Sequence, residues 1–462
     1  MSKNDKSMNF YLIIAVSLAS FITAYTSNVS VIALPQIANY FNLSIILQNW
    51  VVNIFLLTIA VLSIPFGKLC SKWGLKKSFL ISEAMFAVGA IGTILSINAA
   101  ILFFFRVFQA TASSAIFVTA VAMLVKAIPE EHRGKALGIN IGAVYIGLSL
   151  SPFLGGSLTY NLGWQSIFLI TIPIVLLIIA IILVKVPNEW REGENDPIDY
   201  KGSIFYTIGI ICFMYGFTIL NELNGLFITI MGIIFLLCFA LYELKVEYPI
   251  FDVKLFKNHK FLSSNIASLI SYVAIYGVTT ILNYHFQYIC GYTSQMTGII
   301  LVATPLTQSI ITPQSGKLSD KVNPQKLAAF GMGLVTLALF ILTFLNKNTP
   351  LWIVIIAMLL QGAGFGIFSS PNTNTIMSCV PIESTGMASA SVSTMRVIGQ
   401  TMAMGLLTVI FAFVIGDVVI SPKVYSGLGL SCHYALVIAC ILAGISVLIS
   451  LVGMKSNDKL KY

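Results

Sequence analysis

Two arginines and one glutamate interrupt long apolar runs of this 462-residue chain. Arg106 lies one helical turn before Gln109, Arg396 lies in a later run, and Glu83 is the only acid that we place within a predicted span. A cation in a bilayer costs at least about 2.5–3.5 kcal/mol, so Arg106 should face a cavity or a partner. It could also be a structural group that donates hydrogen bonds to main-chain carbonyls.

The Glu83 carboxyl could carry a proton, because burial away from water favours the neutral form of a carboxyl group. It lies about six residues into a predicted helix, roughly 9 Å deep at 1.5 Å per residue. At that depth it could equally pair with a lysine of the preceding loop, such as Lys77.

Polar side chains recur in several other apolar runs, where they could line a cavity between helices. Each could instead hydrogen-bond one helix to another. Aromatic and methionine residues accompany several of them, which suits an adaptable apolar pocket. Besides Arg106, Gln109 and Arg396, the candidates are Asn28, Asn53, Asn283, Tyr284, Gln287, Gln308 and Asn372.

The composition is that of a membrane protein. Hydrophobic residues make up 57% of the chain and charged residues 9%, whereas a soluble domain carries about 25% charged residues. The apolar runs are long enough to cross a bilayer as helices. They predict an all-α membrane protein with fourteen transmembrane helices.

The net charge of +9 is distributed as in membrane proteins. Most of the 26 lysines and arginines fall in the two tails and in every second loop. This bias predicts a multi-pass protein of the cell membrane with both termini in the cytoplasm. We expect no nucleic-acid partner, because no basic segment outside the membrane is combined with aromatic or glycine-rich sequence.

A basic segment occurs twice, half a chain apart. Gly67-Lys-Leu-Cys-Ser-Lys-Trp-Gly-Leu-Lys-Lys77 is echoed by Gly316-Lys-Leu-Ser-Asp-Lys-Val-Asn-Pro-Gln-Lys326. Such a repeat within apolar sequence is typical of transporters built from two similar bundles. We therefore predict a six-helix bundle at residues 1–187, a linker with two extra transmembrane helices at 188–260, and a second six-helix bundle at 261–462.

The two basic segments could act as conformational switches. Their glycines permit a sharp reversal of the chain, and their charged groups could hold neighbouring helix ends in one conformation and release them in another. A merely topological basic loop is the alternative. The residues concerned are Gly67, Lys68, Gly74, Lys76 and Lys77 in the first copy, and Gly316 and Asp320 in the second.

The predicted fifth helix is rich in small residues. Such residues let helices pack backbone to backbone, and a proline adds a kink. We expect this helix to form a contact at the interface of the bundles, through Gly147, Ser151, Pro152, Gly155 and Gly156.

The loop from Pro187 to Lys201 is acidic. We interpret it as a solvated linker rather than a metal site, because no histidine or cysteine accompanies its acids. No nucleophile–base pair occurs at membrane depth, so we expect neither an enzyme nor a cofactor or metal. The sequence also lacks a P-loop, which excludes direct drive by ATP from this chain.

On its motifs the chain resembles the major facilitator superfamily, and within it the fourteen-spanner drug:proton antiporters of the EmrB/QacA type. The resemblance covers essentially the whole chain. The first basic segment is similar to the pattern GxLaDrxGrrr, Arg106–Ser114 to RxxQGxGaa, and Gly147–Gly156 to GxxxGPxxGG. Trp50–Leu57 is similar to WvvtaYlL, and Val29–Pro35 to the end of LDxTIVNVALP.

The resemblance implies the major facilitator fold and proton-driven export of a small amphipathic molecule by alternating access. The implied partners are a small-molecule substrate, protons and the lipid bilayer, with no required protein partner. The chain departs from the family pattern at several positions. Thr26 replaces the first-helix acid, Ser71 the loop acid, Ala110 and Ala112 the glycines of the fourth-helix motif, and Ser151 the glycine before the proline. An uncoupled facilitator, and a non-transporting sensor or interaction protein on the same scaffold, are the alternatives.

Overall fold

A computed structural model describes residues 3–191, 199–220, 222–246, 249–319, 321–380 and 385–455. These residues form helices and short connections, without a β-strand among them. Thirteen of the helical segments are long and apolar enough to span a membrane. The protein is therefore a multi-pass membrane protein, as its composition predicts.

The first group of helices holds the N-terminal half of the repeat. Within it α1 packs on α5, α3 on α4, and α2 on α4. The short α6 leads directly into α7, and the two together form one span. The elements are α1 (Lys3–Phe41), α2 (Ile45–Trp73), α3 (Leu75–Ile94), α4 (Ala99–Ala127), α5 (Glu130–Leu162), α6 (Ser166–Leu169) and α7 (Thr171–Lys185).

Two extra helices follow, α8 (Tyr200–Thr218) and α9 (Leu223–Glu243). They form a hairpin, of which α8 packs both on α2 of the first group and on α15 of the second. Helix α8 is less apolar than the thirteen candidate spans, since Tyr200 and Lys201 open it. Together with α8, the thirteen candidate spans make up the fourteen predicted helices.

The second group repeats the arrangement of the first. Here α13 packs on α14, α12 on α14, and α10 on α16. A π-helical turn, His285–Ile289, extends α10. The elements are α10 (His259–Tyr284), α11 (Ser294–Leu301), α12 (Ala303–Ser319), α13 (Pro324–Thr343), α14 (Leu351–Ser378), α15 (Thr385–Val414) and α16 (Tyr425–Lys455), with a 3-10 turn at Val253–Lys257 before α10 and another at Pro422–Val424 before α16.

Apolar side chains both fill the groups and cover their outside. Phe79, Phe86 and Met123 are buried in the core of the first group, while Leu177 of α7 and Ile234 of α9 are exposed. An exposed apolar side chain is stable where the surrounding solvent is lipid. The helices thus combine a packed interior with a lipid-facing surface.

The first basic segment is more helical than predicted. Helix α2 runs through Gly67 and Lys68 to Trp73, and α3 begins at Leu75. Gly74 alone separates them, with φ +113°. Only glycine adopts this backbone conformation without strain, so the reversal requires one residue instead of a loop.

Candidate functional site

Arg106 is fully buried in α4, with 0% of its side chain exposed. Its Nε donates to Val51 O at 3.4 Å and its Nη1 donates to Gln109 Oε1 at 3.1 Å. The guanidinium carbon lies 4.3 Å from the ring centroid of Phe55 and 5.5 Å from that of Phe168. Among the described residues, the Arg106 guanidinium thus has hydrogen bonds and cation–π contacts but no carboxylate partner.

Buried polar atoms without partners surround this arginine on α1, α2 and α4. Arg106 Nη2, Gln109 Nε2 and Asn53 Oδ1 make no hydrogen bond within the described part of the chain. Buried polar atoms are normally paired with protein or with ordered water, so we infer a polar pocket around Arg106 that a ligand or water can complete. Four further buried atoms make no hydrogen bond with a described residue: Tyr25 Oη, Thr26 Oγ1, Ser30 Oγ and Asn49 Nδ2.

Helix α10 brings the second group to this pocket. Tyr276 interacts electrostatically with Arg106, and its hydroxyl donates to Ser27 O of α1 at 3.2 Å. Asn28 of α1 turns towards α5, where its Nδ2 donates to Ser151 Oγ at 2.9 Å. The pocket around Arg106 therefore lies where the two groups meet.

Beyond Tyr276, polar side chains close the space between the two groups. Asn283, Tyr284 and Gln287, which we name the polar seal, all reach from α10 into the first group. Of the two roles that the sequence left open for them, cavity lining and hydrogen bonding between helices, each makes a hydrogen bond across the interface. The bonds are Asn283 Nδ2 to Val31 O at 2.8 Å, Gln287 Nε2 to Ile32 O at 2.9 Å, and Tyr284 Oη to Asn49 Oδ1 at 2.7 Å.

One face of α5 packs against the second group at one end and is unpacked at the other. Pro152 and Gly156 pack against Gly298 of α11 with almost no space between the backbones. Gly138 and Gly142 continue this face at helical spacing, yet a Cβ atom added there would meet nothing within 4 Å. On this face the contact of α5 with the second group therefore ends before the first turns of the helix.

The other small residues of α5 pack within the first group. Gly147 lies against Phe21 O, and Gly155 lies against Val29, both in α1. Ser149 Oγ, on the face that meets the second group, donates to Pro305 O at 3.0 Å. Helix α5 thus contacts α1 on one side and α11–α12 on the other.

Three further candidates lie in the second group. Asn372 Nδ2 donates to Ser264 O at 3.0 Å, which joins α14 to α10. Gln308 is half-buried in α12. The guanidinium of Arg396 lies 5.2 Å from the Phe117 ring of α4 and so meets the first group. The structure thus brings Arg396 to the interface and uses Asn372 inside its own group.

Glu83 lies inside the first group, away from the interface. It is 1% exposed, it lies between Phe79 and Phe86 on α3, and its Oε1 has no hydrogen-bond partner within the described residues. Helix α3 packs on α4 and α7. No ion pair joins Glu83 to Lys77 where the structure describes the chain, so the interfacial pair is not formed.

The acidic linker is tied to the first basic segment. Glu189 accepts hydrogen bonds from the main-chain N–H groups of Lys76 at 2.9 Å and Lys77 at 3.0 Å. Trp190 O accepts from Leu75 N at 2.8 Å. A carboxylate at the first turn of a helix satisfies free N–H groups and the helix dipole. Glu189 is exposed, as in a solvated linker, and it also caps α3.

The second basic segment differs. Gly316 lies within α12, where an added Cβ would come within 2.8 Å of Ser370 Oγ. Asn323 Oδ1 accepts from Gln325 N at 3.0 Å and caps α13. Asp320 lies outside the described residues.

Two further acids meet at the base of the extra helices, Asp199 and Glu243. Glu243 ends α9 and is 1% exposed, so Glu83 is not the only acid inside a span. The sequence signal for Glu243 was its place within an apolar run. Among the described residues, no group of three histidine, cysteine or acidic side chains could hold a metal ion.

Comparison with known proteins identifies the family. The model for the Major Facilitator Superfamily matches residues 16–404. The riboflavin transporter RibZ of Clostridioides difficile (strain 630) is 28% identical over 403 residues, which cover 87% of this chain and 88% of RibZ. The multidrug resistance protein Stp of Mycobacterium tuberculosis (strain CDC 1551 / Oshkosh) is 26% identical over 87% of this chain and 75% of Stp.

The solved structures agree in fold. A bacterial homologue of the human lysosomal transporter Spinster, in an inward-facing and occupied conformation, matches with a TM-score of 0.71 at 15% identity, covering 98% of both chains. An uncharacterized MFS-type transporter of Bacillus subtilis (strain 168), YfiU, is 30% identical over 84% of this chain and 77% of its own. With its matching family model, repeated helical groups and buried interface, the chain belongs to the major facilitator superfamily.

Proposed function

We propose that this transporter exports a small amphipathic molecule across the cell membrane by alternating access, with a proton gradient as the driving force. The observation that carries the proposal is the asymmetry between the polar seal and the open face at Gly138 and Gly142. A groove closed at one end and open at the other is what one state of an alternating-access cycle requires.

The open end is the cytoplasmic one in this proposal. Both termini are assigned to the cytoplasm by the distribution of lysine and arginine, and α1 begins at the open end. The moving bodies are residues 1–187 and 261–462, and the linker 188–260 lies between them, with α8 in contact with α2 of the first and α15 of the second. Modification of a cysteine at position 2 by an impermeant external reagent would contradict this orientation.

The surroundings of Arg106 favour one class of substrate. Arg106 Nη2 and Gln109 Nε2 are free donors, and the described residues place no carboxylate beside them. Such a pocket suits an aromatic molecule with hydrogen-bond acceptors and disfavours an organic cation. Riboflavin, which the name of the relative RibZ suggests, combines an apolar ring system with carbonyl acceptors, so it is the first compound to test.

Proton coupling distinguishes the drug:proton antiporter type from a facilitator. Glu83 supports coupling, because a buried carboxyl without a cation partner can load and release a proton. Thr26, in place of the first-helix acid, favours the facilitator. The relatives include the multidrug resistance protein Stp and a tetracenomycin C resistance and export protein of Streptomyces glaucescens, which supports export as the direction.

A substrate panel in cells tests the function. Cells that express the protein are loaded with riboflavin, with acceptor-rich aromatic drugs or with lipophilic cations, and efflux is followed with and without an uncoupler. Loss of efflux with the uncoupler supports the antiporter, and flux that only follows the substrate gradient supports the facilitator. Absence of flux for all compounds, together with a co-purifying protein, would support the sensor instead.

A further inference from the structure

The base of the extra helices holds two buried carboxyl groups that the transport proposal does not use. Asp199 precedes α8 and is 8% exposed, and Glu243 ends α9 and is 1% exposed. Asp199 Oδ1 accepts from Gly202 N at 2.9 Å and so caps α8. Its second oxygen, Oδ2, and both oxygens of Glu243 make no hydrogen bond of good geometry with a described residue, and the groups that interact with them are the Tyr242 hydroxyl beside Asp199 and the Phe251 N–H beside Glu243.

The two carboxyl groups share one site above Gly202. A Cβ atom at Gly202 would collide with both Asp199 Oδ2 and Glu243 Oε1, so the absence of a side chain there leaves the space that the two oxygens occupy. The two groups are within reach of a hydrogen bond to each other. Two buried carboxylates in contact repel each other, whereas one shared proton turns the repulsion into a strong O–H···O⁻ bond.

The remaining polar groups at the site determine its net charge. Lys68, near the end of α2, attracts Glu243 electrostatically, and Tyr242 of α9 lies near Asp199. With one proton the pair carries a single negative charge, which matches one lysine. With two protons the pair is neutral and holds Lys68 weakly.

We propose that Asp199 and Glu243 form a proton-binding site on the extra helices, and that its protonation controls how firmly these helices hold Lys68 of α2. The site belongs to the first basic segment as much as to α8 and α9. A second proton weakens the hold on Lys68, and loss of the shared proton makes the two carboxylates repel.

A change in the protonation of Asp199 and Glu243 can affect the position of α2 through α8. Tyr206 Oη donates to Ala60 O of α2 at 2.8 Å, and the rings of Trp50 and Tyr215 lie 6.0 Å apart near the other end. Helix α2 also carries Asn49, which accepts from Tyr284 of the polar seal. The proton site and the seal therefore act on the two ends of one helix.

Infrared spectroscopy of the purified full-length protein tests the shared proton without a substrate. Exposed carboxyl groups, with an ordinary pKa of about 4, are ionised at pH 7. We expect the carbonyl band of a protonated carboxyl to persist at pH 7 in the wild type and to decrease in Glu243→Gln and in Asp199→Asn. Glu83→Gln should retain the part of the band that Glu243→Gln removes, which shows that this part does not come from a proton on Glu83.

Thermal unfolding against pH tests the link to Lys68. The folded state holds a proton that the unfolded chain releases, so the melting temperature should fall as pH rises through the loss of the shared proton. Glu243→Gln should flatten this fall, whereas Lys68→Gln, which removes a cation that favours the charged pair, should move the fall to higher pH. Glu222→Gln changes an exposed acid at the opposite end of α9, and it should leave the profile unchanged.

Three results would overturn the proposal: no protonated band at pH 7 in the wild type, an identical band in Glu243→Gln, or a pH profile that Glu243→Gln does not alter. A profile that responds to sodium in place of choline would assign the pair to a metal cation instead of a proton. Because none of these measurements needs transport, failure of the export proposal would leave their outcome unaffected.

Discussion

The two groups of helices share a fold but differ in what their polar side chains do. In α1–α7, many buried polar atoms have no partner, including those of Asn53, Arg106 and Gln109. In the described part of α10–α16, the buried polar atoms without a partner are those of Thr297 and Ser369. The repeat has therefore kept the packing of the helices and not their chemistry.

Helices α4 and α14 make the difference concrete. Gln109 is echoed by Gln361 in the second copy, and the same spacing sets Met358 where α4 has Arg106. Met358 is buried in an apolar core. One group thus holds a buried cation at this level, and the other holds a flexible apolar side chain.

The second group uses its polar side chains for contacts. Asn283 and Gln287 bind main-chain carbonyls of the first group, while Asn265 and Asn372 join helices inside the second. Hydrogen bonds between helices fix their positions and leave fewer polar atoms for a ligand. We infer that the first group binds the substrate and that the second group closes the space between the two groups.

Replacement of Arg106 by methionine should have the largest effect, because it makes the first group resemble the second. Hydrogen bonds to a charged group contribute about 1.5–3 kcal/mol, and each 1.4 kcal/mol is about tenfold in binding. We expect a loss of about 10–100-fold or more in the initial rate of efflux. Arg106→Lys should also fail, since lysine cannot reproduce the planar contact with Phe55.

Two controls accompany this experiment. The amount of each variant in the membrane is measured, because a misfolded protein would also fail to transport. Met358→Leu conserves volume at the equivalent position of the second group and should transport nearly as the wild type. Full activity of Arg106→Met would remove Arg106 from the site and place the binding chemistry elsewhere.

Glu83→Gln should affect coupling more than transport. In reconstituted vesicles we expect substrate-dependent proton flux to disappear, while downhill transport stays within about threefold, because the carboxyl serves the proton step rather than substrate contacts. Proton flux at the wild-type rate would exclude Glu83 as the carrier and leave Glu243 as the remaining acid within the spans. Absence of flux in the wild type would favour the facilitator.

Asn283→Leu should loosen the polar seal by a smaller amount. One neutral hydrogen bond contributes about 0.5–1.5 kcal/mol, so the ratio of open to closed states should rise about 2–10-fold. The measurement is the rate at which an impermeant reagent modifies Ser30→Cys from outside, in a chain without its seven native cysteines. Asn372→Leu removes a similar bond inside the second group and should not raise this rate.

The sequence predicted the architecture because composition and run length determine it. Membrane spans need only enough apolar residues, and the repeat favours two similar groups of helices. The destinations of single polar side chains were harder to predict, since an apolar run does not indicate which neighbour an asparagine meets. Asn283 looks like a ligand residue in the sequence and is a seal residue in the fold, because its partner is a main-chain carbonyl of another helix.

The same limit applies to long-range caps. Asn323 lies directly before α13, and its role follows from local capping preferences. Glu189 caps α3 from more than a hundred residues away, with |i−j| of 113 to Lys76. No local pattern connects these two residues, so only the packed structure reveals the contact.

These two caps give the smallest expected effect and the sharpest test of the difference between the groups. Loss of a cap costs about 1 kcal/mol, so Glu189→Ala and Asn323→Ala should each lower the melting temperature by a few degrees. The charge of Glu189 adds attraction to the helix dipole, and salt screens this attraction. We therefore expect added salt to reduce the difference in melting temperature between wild type and Glu189→Ala. The difference between wild type and Asn323→Ala should not change. Glu189→Ala alone should also speed protease cleavage near Trp190, because the carboxylate holds that segment against α3. Equal salt dependence and equal cleavage in the two variants would mean that both caps act locally and that the linker is independent of the first basic segment.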